Sequence, residues 1–213
     1  MPEVSDLTVF EAGGCPRDEY GGNYCNPISP VGVSGCTLIY EPPELTGGLD
    51  PSFPLATCHV QESKMNAGTR AEVEGGKYLR EVFGALHGYI RYVIYRDGRY
   101  VPIKTTEEFQ AIFAPITSKE EALSYVLALT NLSAYYGLEY HEGYEYKADV
   151  IEDAKVTRTL SGYHLHLFSY ERLGCGQHWT SAVEVNLTRQ GVIEEVSRRE
   201  IFRDPRQEGN CAD

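Results

Sequence analysis

The stretch Gly88-Tyr89-Ile90-Arg91-Tyr92-Val93-Ile94-Tyr95-Arg96-Asp97-Gly98-Arg99-Tyr100-Val101-Pro102-Ile103 decides the fold class. Its first eight residues are dense in β-branched and aromatic side chains, which suit a pleated surface. Asp97-Gly98 then supplies the positive φ angles that a tight hairpin turn demands. Pro102 cannot donate a ladder hydrogen bond, so the second strand is expected to be short or to lie at an edge.

Downstream the period changes. Thr105 with Glu108, and Ser118 with Glu121, have the spacing of a capping box, and each precedes an apolar run. The first predicts a short helix stopped by Pro115. The second predicts the principal helix, Ser118 to Tyr135, with Ala122, Leu123, Val126, Leu127 and Leu129 on a buried face and Gly137 as its stop. The C-terminal third reads as strands: Tyr144 to Val150, Ala154 to Leu160, Tyr163 to Tyr170, Ser181 to Thr188 and Val192 to Ile201. Val183, Val185 and Leu187 alternate with Glu184 and Asn186, the pattern of a half-buried antiparallel strand. The expected class is α+β, a mainly antiparallel sheet packed against one principal helix. Leu123, Val126 and Leu127 are expected to bury against Val183, Val185 and Leu187.

Working back from the hairpin, residues 1–68 carry so many Gly and Pro that they read as an irregular arm on an α+β domain of residues 69–213, together one compact unit. Short strands are expected only at Leu7 to Phe10 and Val33 to Tyr40. Cys15, Cys25, Cys36 and Cys58 fall in this arm, and Cys175 and Cys211 near the other end. Six cysteines allow fifteen complete pairings. The preferred set is Cys15 with Cys25, Cys36 with Cys58, and Cys175 with Cys211, which points to a secreted or extracytoplasmic location; six reduced cysteines in the cytoplasm are the alternative.

The chain has 213 residues, and 31 acidic against 19 basic side chains give a formal charge of −12, which disfavours nucleic acid as a partner. No apolar run is long enough to span a membrane, so no transmembrane association is expected, and no leader peptide is visible.

Chemistry concentrates in two places. Of the sixteen tyrosines, nine crowd the hairpin (Tyr89, Tyr92, Tyr95, Tyr100) and the helix exit (Tyr135, Tyr136, Tyr140, Tyr144, Tyr146), and Tyr89, Tyr92, Tyr95, Tyr136, Tyr140 and His141 are the expected ligand-binding residues. Tyrosine combines contact area with a hydrogen-bonding tip, which suits recognition of a protein or small-molecule ligand. The leading reading is thus a noncatalytic, extracytoplasmic binding protein.

The alternative is a metal-dependent enzyme using activated water. His164 and His166 share a strand face, and His178 or Glu171 could complete a site for zinc, iron or manganese. The His-x-His-x4-Glu pattern of residues 164–171 resembles one motif of the cupin superfamily, which implies a metal inside a small β-barrel. It departs from that pattern at Arg158, where the family has glycine, and in its helical centre, so no fold is carried over. Cys175 near His178 could instead form a thiolate–imidazole pair.

Overall fold

The computed structural model describes residues 7–42, 46–82, 87–170 and 176–207. The chain divides into two compact units, Met1–Phe113 and Ala114–Asp213. Both units are built on antiparallel sheet, with few helices.

In the first unit the strands are β1 (Asn23–Tyr24), β2 (Leu38–Tyr40), β3 (Leu55–Gln61), β4 (Arg80–Val82), β5 (Gly88–Arg96) and β6 (Arg99–Ile103), with helices α1 (Thr8–Ala12), α2 (Ala67–Glu74) and α3 (Thr106–Phe113). The order is β1-β2-β3-β5-β4, and β6 also pairs with β5. The hairpin forms as the sequence reads: Asp97 and Gly98 have φ of 51° and 75°, and β6, carrying Pro102, pairs with β5 alone among the described residues. Two expectations for the arm are corrected. Leu7 to Phe10 enters a helical turn, with Phe10 buried in the core, and β3 is a fully buried strand paired on both sides. The Pro-rich approach to Leu55 hid that strand, although Pro54 stops just short of it. Val33 to Tyr40 is strand only from Leu38; a 3-10 turn covers Gly32–Ser34.

Disulfides join Cys15 to Cys25 and Cys36 to Cys58, two of the three expected pairs. All four cysteines lie in a core cluster with Phe10, Ile39, Val60 and Val93. Cys175 and Cys211 lie outside the described residues, as does Glu171.

In the second unit α4 (Lys119–Leu129) accompanies β7 (Glu145–Tyr146), β8 (Lys155–Arg158), β9 (Gly162–Tyr170), β10 (Trp179–Thr188) and β11 (Ile193–Arg203), in the order β7-β11-β10-β9-β8. The helix start is capped as expected: the Glu121 amide donates to Ser118 Oγ at 3.0 Å, and the Glu121 carboxylate accepts from the Thr117 amide at 2.7 Å. Its end comes six residues early. Thr130 Oγ1 donates to the Val126 carbonyl, and Ser133 is then taken into a two-way backbone bridge with Phe168, which competes successfully with further helix. The helix lies against β8 and β9 rather than principally against β10. Val126 and Leu127 are buried with Tyr163, Leu165 and Leu167, while Leu123 is only half-buried. Strand Tyr144 to Val150 shrinks to two residues.

Candidate functional site

Strand register across the second sheet sets up the candidate site. Tyr146 pairs with Phe202, Phe202 with Thr180, and Thr180 with Tyr170, so one row crosses β7, β11, β10 and β9 on a single face. Three of the four positions are aromatic, and the small Thr180 leaves a hollow between Phe202 and Tyr170. The segment that leaves the Ser133 bridge walls this hollow with Tyr135, Leu138, Glu139, His141 and Tyr144. Ile151, Asp204 and Gln207 complete a cavity of about 300 Å³.

The rings brace one another. Tyr144 stacks on Phe202 at 5.9 Å, Tyr140 meets Tyr146 at 4.7 Å, and Tyr135 meets Phe168 at 5.2 Å between centroids. Hydroxyls are tied down as well: Tyr140 donates to the Asp149 carbonyl, and Tyr170 donates to Gln207 Oε1. The Tyr146 hydroxyl accepts from the His141 amide at 2.7 Å. Such bracing preorganises the cavity, so a ligand need not pay to order it. At the rim, Arg206 Nε and Nη2 donate to the two Asp204 oxygens at 2.8 and 3.0 Å, and Arg206 holds that carboxyl below the ordinary carboxylate range. The Arg206 guanidinium also lies over the Tyr144 ring, 5.7 Å from its centroid.

The expected ligand-binding residues separate. Tyr92 is fully buried against Phe109 in the first unit, where burial pushes its hydroxyl up to about 12, so it offers no surface. Tyr89 and Tyr95 are half-buried in the same unit, against Tyr78 and Tyr100 respectively. His141 lines the aromatic cavity; Tyr140 braces it from outside, and Tyr136 is exposed. Tyr135, Tyr144, Tyr146, Tyr170, Thr180, Phe202 and Asp204 were missed; of these, Tyr146, Tyr170, Thr180 and Phe202 are brought together only by sheet register.

The expected metal triad does not assemble. His164 and His166 do share a face, but Glu184 on the neighbouring strand takes both: His164 Nε2 donates to one oxygen at 2.8 Å and His166 Nδ1 to the other at 2.6 Å. His178 precedes Trp179 at the far end of β10, roughly 20 Å along the chain from Glu184. Its ring packs near Tyr170 at 6.3 Å instead. Among the described residues, no group of three or more His, Cys, Asp and Glu side chains is placed to hold a metal ion. The Cys175 thiolate reading lies outside the described residues.

A second, polar cleft of about 680 Å³ lies beside Ser169, Trp179 and Ser181, which alternate to the opposite sheet face. Its cations are largely committed: Lys147 pairs with Glu200, Arg198 pairs with Glu195 at 2.9 Å, and the Trp179 ring is covered by Lys147 at 4.0 Å and Arg203 at 5.1 Å. No protein-family model matches the chain, and no curated protein or solved structure matches it either.

Proposed function

We propose that this chain is a noncatalytic, extracytoplasmic binding protein that takes a small molecule or a protein side chain into the aromatic cavity of its second unit. The observation carrying this reading is the register row Tyr146, Phe202, Thr180 and Tyr170, walled by Tyr135 and Tyr144. A concave, largely apolar space with a few fixed polar groups is the usual form of a ligand site. The two disulfides support the extracytoplasmic part, since such bonds persist mainly in oxidising compartments. No helix among the described residues is long and apolar enough to cross a membrane. The metal-enzyme alternative gains no support from the imidazoles, which converge on a carboxylate.

The test is a ligand-observed NMR screen of small fragments, repeated on Tyr146→Ala and Phe202→Leu variants whose folding is checked by circular dichroism. Hits lost in both folded variants support the reading. A screen without hits, or hits retained by both variants, overturns it.

A further inference from the structure

We propose that the ligand of this cavity is an organic cation, an alkylated ammonium group. The inference rests on the cavity reading above and adds the chemistry of the ligand. Three observations carry it. Five aromatic rings, those of Tyr135, Tyr144, Tyr146, Tyr170 and Phe202, line a space of about 300 Å³. Ring faces carry partial negative charge, and several around one small space form the arrangement that holds a desolvated cation. Secondly, the carboxyls of Glu139 and Asp204 line the space and, among the described residues, no Lys or Arg does, so the lining suits a positive ligand that can take the place of Arg206 at Asp204 better than an anion.

Thirdly, the chain already places a cation at this rim. The Arg206 guanidinium sits over Tyr144 while both Asp204 oxygens accept its hydrogen bonds. Its side chain is 72% exposed and is not part of the cavity lining, so it covers the rim without filling the interior. An incoming ammonium would take the same ring face and the same carboxylate. The cavity is at the small end for ligand sites, sized for a head group or a single side chain. Free quaternary amines and a methylated lysine side chain present the same chemistry.

The experiment is calorimetry on the full chain with three probes: choline, its neutral isostere 3,3-dimethylbutan-1-ol, and a blocked trimethyllysine amide. Choline or the trimethyllysine amide should bind at least about tenfold tighter than the neutral isostere, and the tighter of the two identifies the source. Asp204→Asn should weaken the cations and leave the isostere unchanged; Arg206→Ala, which removes the internal competitor, should tighten the cations several-fold. An isostere that binds as well as choline overturns the cation assignment while leaving the cavity reading intact. Absence of binding by all three probes up to about 50 mM overturns the cation assignment too. The cavity reading then falls only if the fragment screen is also empty.

Discussion

Nδ1 of His166 stands 2.6 Å from Oε1 of Glu184, across the β9–β10 pair. The other Glu184 oxygen receives Nε2 of His164, and His164 Nδ1 faces Asn186 Oδ1 at 2.9 Å. A carboxylate only accepts hydrogen bonds, so the nitrogen facing it must carry the proton in each ring. The neutral rings should therefore be opposite tautomers, Nδ1–H in His166 and Nε2–H in His164, with the Asn186 amide turned so that its nitrogen donates to His164 Nδ1. Long-range nitrogen–proton NMR correlation reads this directly. Both rings in one tautomer, or a shift of both on adding zinc, would contradict the carboxylate-centred arrangement.

Breaking the Cys36–Cys58 bond should destabilise the first unit. The bond closes a loop of sequence separation 22 beside buried Ile39 and Val60. Loop-closure entropy puts the cost of a Cys36→Ala/Cys58→Ala double variant at about 3 kcal/mol, and slightly less for the shorter Cys15–Cys25 loop. Denaturant unfolding is the measurement. An unchanged midpoint would mean that the cluster holds the segment without the crosslink.

Tyr163 is 2% exposed, and its hydroxyl has no hydrogen-bond partner among the described residues. Removing an unpaired buried hydroxyl relieves its desolvation cost, so Tyr163→Phe should raise stability by about 1 kcal/mol. Leu127→Ala, which empties a filled site in the same unit, should lower it by about 2 to 5 kcal/mol. Chemical denaturation of both variants checks the pair. A destabilised Tyr163→Phe would reveal a partner for that hydroxyl.

His87 lies between two carboxylates, with Nε2 2.9 Å from Glu81 Oε1 and Nδ1 2.7 Å from Glu62 Oε2. Donating to the carboxylates of Glu81 first, then Glu62, raises its pKa above the ordinary histidine value. The folded state therefore favours the imidazolium. Its contribution is fully present below the unfolded pKa of about 6.5 and fades as pH rises through the folded value. Thermal unfolding of wild type and His87→Gln between about pH 5.5 and 9 should differ most at the acid end and converge at the alkaline end. A difference independent of pH would contradict the assignment.

What was legible depended on how local the signal was. Asp97-Gly98 and Ser118 with Glu121 each settle their structure within a few neighbouring residues, and the two disulfides join cysteines that are neighbours in the order along the chain. The end of α4 did not, because Phe168 competes for the Ser133 backbone from 35 positions away. The aromatic site was legible only in part: of the expected ligand-binding residues His141 lines it and Tyr140 braces it, whereas Tyr146, Tyr170 and Phe202 come together only through pairing of four strands, with an irregularity between Thr180 and Ser181. His164 and His166 were placed on one face as the strand period requires, but their partner was Glu184 on the next strand, which no spacing along one strand reveals.

The proposed recognition site is the cavity between Tyr146 and Tyr170. Its most direct test is ring-resolved NMR of the chain with labelled tyrosine and phenylalanine, titrated with the strongest-binding fragment from the screen. The expected result is saturable shifts at Tyr135, Tyr144, Tyr146, Tyr170 and Phe202, with Tyr89 and Tyr95 unmoved. Shifts confined to Tyr89 and Tyr95, or to residues lining the cleft beside Trp179, would contradict it.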